Sequence, residues 1–140
     1  MLPTTSIEKI VNEIKNIQVA SNDMKNYLNS LSQEEYASIA TIFIIGRSGW
    51  ERNYYETNEY YSFIEENEAC GIKVNQKMLD DKFLTNELKL KQINRNYEYK
   101  LSDAKKIDGV YHHDWLGMKA NLIIEIEKGL NMLREVNYNG

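Results

Sequence analysis

The chain has one cysteine, Cys70, one proline, Pro3, two histidines and no long apolar run. A single thiol excludes an intramolecular disulfide framework. With its proline at position 3, the chain carries no interior residue that must break a helix. The longest apolar stretch, residues 39–45, is far too short to span a bilayer, so no membrane partner is expected. No N-terminal segment joins a basic region to an apolar one, so no signal peptide is expected and the expected location is cytoplasmic. No Gly-Lys-Ser/Thr follows a glycine-rich stretch, which excludes the usual phosphate loop. His112-His113-Asp114 invites a metal reading, but side chains adjacent at a helix start diverge. The set would have to recruit carboxylates such as Glu125 or Glu127. No metal and no cofactor is expected. The same histidines have no accompanying nucleophile or oxyanion-hole motif, so no catalytic set is expected and the chain is read as non-enzymatic.

What is present is material for one helical domain. The chain has 140 residues, 42% hydrophobic and 27% charged, enough to bury a core. Net charge is -4, which argues against a nucleic-acid binder. Its distribution is uneven: residues 72–106 hold nine Lys/Arg against five Asp/Glu, a net of +4, which leaves -8 for the remainder. Just upstream, Glu51, Glu56, Glu59, Glu65, Glu66 and Glu68 stand against Arg52 alone. An acidic segment followed by a basic one can steer a charged partner, although solvated helix faces give the same pattern.

Apolar spacing places the helices. Ile7, Ile10, Val11, Ile14 and Ile17 recur at helical intervals after Ser6. Ser21 is placed to cap a short second helix through Met24, Tyr27, Leu28 and Leu31. Ser32-Gln33-Glu34-Glu35 has capping-box spacing and opens a third helix through Ile39, Ile42, Phe43 and Ile45. That helix is apolar around most of its circumference and should be the most buried, with Gly46 as its C-terminal cap. A fourth helix is expected from near Asn53 to Gly71, with Tyr54 and Tyr61 along one edge and Tyr55 on the opposite, exposed side. A further helix should start at Gln76 and run through about Asn86. Residues 87–101 fit two patterns. Leu90, Ile93, Tyr97 and Leu101 extend a helical stripe, whereas Asn94-Arg95-Asn96 offers the turn of a β-hairpin. Asp108-Gly109 is a turn. Asp114 is placed to cap a last helix running from Trp115 through Leu133, in which Gly117 and Gly129 permit close approach by a neighbour. Residues 137–140 should fray. The fold class is mainly α: a compact single-domain bundle of about five to six helices, with a small hairpin at 87–101 as an open alternative.

The segments "IFIIGRSGW" and "DWLGMKANLIIEIEKGLNML" resemble a small bacterial family known only as a domain of unknown function. There an apolar helix ends in Ile/Leu-Gly-Arg, and a Tyr-Leu-x-Gly segment leads into a Leu-x-x-x-Leu-x-x-Gly-Leu helix. The matching residues are Ile45, Gly46 and Arg47, then Trp115, Leu116, Gly117, Leu122, Ile126, Gly129 and Leu130. Ser48-Gly49 departs from the acidic position of that pattern, and residues 72–110 read as an insertion within the domain. The resemblance implies a helical fold and no chemistry.

Three functional classes follow. Ten tyrosines, several outside any core stripe, suit a protein-binding surface. Trp50, Glu51, Tyr54, Tyr55, Glu56, Glu59, Tyr61, Glu65 and Glu68 would form an acidic, aromatic face whose natural partner is a basic protein. In its concrete form this is an immunity or antitoxin-like protein that covers a basic, nuclease-type toxin. The second class is a regulatory or nucleic-acid-associated protein using Lys73, Lys77, Lys82, Lys89, Lys91 and Arg95. The third is an enzyme or sensor with an anion held by Arg47 and Arg52 at a helix junction, where Arg47 can equally serve the carbonyls of the helix it ends.

Overall fold

The computed structural model describes residues 1–111 and 115–138. Among these the chain forms seven α-helices and one two-stranded hairpin. Five of the seven helices begin where a side-chain oxygen satisfies a free backbone N–H group. Ser21 Oγ accepts from Met24 N (3.1 Å) at the start of α2 (Asn22–Ser30). At α3 (Gln33–Ser48), Glu35 N donates to Ser32 Oγ (3.1 Å) and Ser32 N donates to Glu35 Oε1 (2.8 Å), so the capping box is complete. The first helix, α1 (Thr4–Ile14), opens after Pro3 rather than after Ser6, and turns Ile7, Ile10, Val11 and Ile14 inward.

Helix α3 is the centre of the molecule, with residues 36–43 and Ile45 buried. It packs against α6 (Asn86–Asp103) and, most extensively, against α7 (Leu122–Glu135), while α1 touches both α3 and α7. Gly46 does not cap α3. The helix continues to Ser48, and Gly49 caps it at φ 74. Gly46 is instead where α7 crosses. A Cβ there would run into the Glu125 carbonyl oxygen and lie 2.8 Å from Gly129 N. A Cβ on Gly129 would run into the Ile42 carbonyl oxygen. The two glycines let the backbones touch, and neither position has room for alanine.

The open question at residues 87–101 resolves to helix. Thr85 Oγ1 accepts from Leu88 N (3.2 Å) and starts α6, which runs through Asn94-Arg95-Asn96 without a turn. Ile93 is fully buried, and Leu90, Tyr97 and Leu101 pack against the same core. Burial of this stripe outweighs the turn propensity of the asparagines. The helix from Gln76 stops earlier than the apolar pattern indicates: α5 spans Gln76–Phe83, and Leu84 leaves helical geometry at ψ 78 before Thr85 restarts it. The hairpin lies downstream, β1 (Lys106–Ile107) pairing antiparallel with β2 (Val110–Tyr111). Asp108 and Gly109 both have positive φ, 53 and 80, as a two-residue turn of this hand requires. Tyr111 is buried, stacks on Tyr36 with centroids 4.1 Å apart and donates its hydroxyl to the Leu31 carbonyl.

The C-terminal helix is two elements. Trp115–Met118 is a single 3-10 turn seated on α2, where a Cβ on Gly117 would lie 2.8 Å from Lys25 Cγ. The main helix, α7, begins only at Leu122. The expected cap Asp114, like His112 and His113, lies outside the described residues. Asn137 and Tyr138, where fraying is expected, are hydrogen-bonded: Asn137 N donates to the Arg134 carbonyl (3.0 Å), Thr4 Oγ1 donates to the Tyr138 carbonyl (2.9 Å), and the Tyr138 hydroxyl reaches the Met1 carbonyl (3.4 Å). Asn139 and Gly140 lie outside the described residues.

A second, smaller apolar cluster meets the main one through Trp50, which packs against both. Tyr54, Leu79 and Leu84 are its buried members, with Trp50, Tyr60, Phe63, Ile64, Val74 and Phe83 packed around them. It belongs to an outer lobe, residues 50–84, comprising a turn, α4 (Asn58–Ala69) and α5. Helix α4 starts five residues later than expected from Asn53, because Thr57 Oγ1 accepts from Tyr60 N (3.2 Å) and Glu56 adopts φ 67 just before it. No helix of the described residues is long and apolar enough to cross a membrane.

Candidate functional site

The lobe is assembled around one carboxylate. Arg52 grips Asp80 with two parallel bonds, Nε to Oδ1 (2.9 Å) and Nη2 to Oδ2 (3.1 Å). The Tyr54 hydroxyl donates to Asp80 Oδ1 (2.7 Å). Gln76 Nε2 donates to both Tyr54 Oη (2.6 Å) and Asp80 Oδ1 (3.0 Å), and the Tyr55 hydroxyl donates to Gln76 Oε1 (2.6 Å). The Arg52 guanidinium, with the Tyr54 and Gln76 donors behind it, holds the Asp80 carboxyl down at about 2 although partial burial pulls the other way. Burial, followed by the hydrogen bond to Asp80, pushes the Tyr54 phenol upward.

This network redistributes the expected binding face. Tyr54 is 7% exposed and is a core residue of the lobe, lying in the turn before α4 rather than on a stripe with Tyr61. Its ring stacks on Phe83 (5.2 Å) and packs against Tyr55 (4.8 Å). Trp50 is half-buried, with Lys89 Nζ 5.8 Å from its ring centroid. Glu51 is a clamp. Its backbone N–H donates to Gln92 Oε1 (2.8 Å), its carbonyl accepts from Gln92 Nε2 (3.0 Å), and its carboxylate pairs with Arg95 (2.6 Å). These bonds fasten the lobe to α6. What remains outward is the rest of the set: Tyr55 at 43% and Tyr61 at 51% exposure, with Glu56, Glu59, Glu65 and Glu68 beside Glu66. No ion pair to these five glutamates is formed among the described residues. Helix α4 buries no residue completely. A shallow depression of about 540 Å³ opens between α4 and α5, lined by Glu59, Ser62, Phe63, Glu66, Lys82 and Phe83.

Arg52 and Arg47 do not act together. Arg52 spends its fork on Asp80. Arg47 is exposed at the end of α3, its guanidinium carbon 5.4 Å from the Phe43 ring centroid and 6.0 Å from that of Trp115. The basic segment is dispersed as well. Lys77 pairs with Asp81 (2.7 Å), Lys91 with Glu87 (3.5 Å) and Arg95 with Glu51, and the six cations are spread over a loop, α5 and α6. Among the described residues no group of three His, Cys, Asp or Glu is placed to hold a metal ion. Cys70 is exposed at the C-terminus of α4.

Asp80, Gln76 and Gln92, which organise the site, carried no signal in the sequence. Each is a polar residue within an amphipathic stretch, and the bonds that tie it to the turn at residues 51–55 span 21 to 41 residues. Compared with known proteins, the chain matches no family model, no curated protein and no solved structure.

Proposed function

We propose that this chain is a non-enzymatic protein-binding module of the immunity or antitoxin type, which neutralises a basic, nuclease-type toxin with the outer face of α4. One observation carries the reading: Glu56, Glu59, Glu65, Glu66 and Glu68 share a small lobe with exposed Tyr55 and Tyr61, and none of these carboxylates is neutralised by a described residue. Unpaired carboxylates around exposed phenols supply long-range attraction for a cationic partner, and the rings supply contact area once it arrives. The Asp80 network beneath fixes Tyr55 through Gln76, so part of the face is ordered before any partner binds.

The test is to mix the protein with basic toxins encoded beside its gene, at about micromolar concentration, and look for a complex by size exclusion. A complex is expected, together with protection of cells that express the toxin. The triple variant Glu59→Lys, Glu65→Lys, Glu68→Lys should slow association by at least about tenfold. No complex and no protection would sink the function. A complex indifferent to the triple variant would move the binding surface elsewhere.

A further inference from the structure

The outer lobe and α6 do not close on each other, and a cavity of about 510 Å³ is left where they meet. Two tethers set the gap. The chain crosses from lobe to helix at Leu84–Thr85, and the Glu51 clamp ties the turn before α4 to Gln92 and Arg95. Residues of both tethers line the cavity. Its apolar wall is Tyr54 and Leu84, both buried, half-buried Phe83, and Leu88 on the first turn of α6. Leu88 is 43% exposed, so the wall still offers apolar surface to whatever enters.

Glu51, Glu59, Lys91 and Arg95 are the charged side chains of the lining, two of each sign. Arg95 Nη2 pairs with Glu51 Oε2 (2.6 Å), and Lys91 Nζ pairs with Glu87 Oε1 (3.5 Å). Glu59 alone is left: among the described residues it forms no ion pair and its carboxylate accepts no hydrogen bond. The uncharged polar groups point the same way. Gln92 directs both ends of its amide to Glu51, and Thr57 Oγ1 donates to the Tyr54 carbonyl while accepting from Tyr60 N. Asn53 uses its NH2 on Glu51 (3.4 Å), which leaves its carbonyl oxygen. Beside its apolar wall the cavity therefore offers acceptors, one of them charged.

The geometry points to a binding site for a small organic cation here, a primary amine on a ring-sized apolar body. Its ammonium pairs with Glu59, and its body lies against Tyr54, Phe83, Leu84 and Leu88. An ammonium carries three donors and no acceptor, which suits a lining whose free polar atoms are acceptors. An anion would meet Glu59 and would have to displace Glu51 or Glu87 from its cation, and a neutral molecule would leave Glu59 unpaired. The volume falls within the roughly 300–1,000 Å³ of small-molecule sites, which favour junctions between structural units. The Glu51 clamp fixes one wall beforehand, so little ordering is lost on binding. Glu59 belongs to the proposed toxin-binding face as well, but the cavity is tested without a toxin, so the two readings fail separately.

The probes are tryptamine, tryptophol and indole-3-propionate, which share an indole and differ in charge. Binding is read by calorimetry and by ligand saturation-transfer NMR. On the unaltered protein at neutral pH, tryptamine should bind saturably and at least about threefold more tightly than tryptophol, with indole-3-propionate weakest. Glu59→Gln should abolish the preference for tryptamine over tryptophol. Leu88→Gln, at an exposed position, should weaken both by at least about threefold. Glu98→Gln removes the same charge from α6 outside the cavity and should change neither. No saturable binding at about 5 mM would overturn the small-molecule site and leave the cavity to a side chain of a macromolecular partner. Tryptamine binding unaltered by both Glu59→Gln and Leu88→Gln would overturn it as well. Indole-3-propionate binding as tightly as tryptamine would overturn the assignment to a cation.

Discussion

Replacing Asp80 by asparagine should loosen the outer lobe, and the loss should depend on pH in one direction. In the folded protein the Asp80 carboxyl titrates at about 2, against 3.8 for an unperturbed one. At about 1.4 kcal/mol per tenfold, that difference corresponds to roughly 2.5 kcal/mol. The Asp80 side chain is 25% exposed and Arg52 is 42% exposed, so screening reduces the figure to about 1–2 kcal/mol. Because the folded-state value is depressed, the stabilisation is fully present above pH 3.8 and is lost as pH falls towards 2. The assay is urea unfolding between about pH 2 and pH 7, followed by tyrosine near-ultraviolet dichroism, which senses the packed rings of Tyr54, Tyr55 and Tyr60. Asp80→Asn should be less stable than the parent at neutral pH, and the two curves should converge at the acid end. A gap that persists at pH 2, or no gap at pH 7, would refute the view that a charged Asp80 holds the lobe.

Two further outcomes follow from the helices. Gly129→Ala should destabilise the protein by about 1–3 kcal/mol in thermal melts despite alanine's better helix propensity, because the new methyl meets the Ile42 backbone. A neutral or stabilising result would mean that α3 and α7 can slide apart. Ser32→Ala should cost about 1 kcal/mol by the same measurement, through loss of the bond from Glu35 N and of the reciprocal geometry.

Local chemistry was legible in the sequence, and meetings across the chain were not. The Ser21 cap, the Ser32–Glu35 box and the Asp108-Gly109 turn each depend on residues within one turn of each other, and all three form. The stripe Leu90, Ile93, Tyr97 and Leu101 was visible too, although only burial against α3 decides it against the hairpin. Gly46 shows the limit. A glycine after an apolar helix reads as a terminator, and only the arrival of Gly129 from the last helix reveals it as a crossing point. Tyr54 misled in the same way. Its neighbours in sequence are acidic and exposed, but its neighbours in space are Phe83, Leu79 and Leu84. Arg52 had no visible rival for its charge until α5 brought Asp80 against it.

The outer lobe joins the rest of the molecule through two chain crossings, beside Gly49 and at Leu84–Thr85, through Trp50, which packs against both clusters, and through the Glu51 clamp on α6. Its own cluster has three buried side chains, against a main core that runs through every other helix. Such a unit opens at a lower free energy than the whole and does so as one piece. Amides of α4 and α5 will therefore exchange with solvent sooner than those of α3 and α7, and a protease will cut between α4 and α5 while the central helices remain folded. Under the proposed function, a partner that gripped α4 would raise that opening cost, and its binding would register as protection of this segment alone.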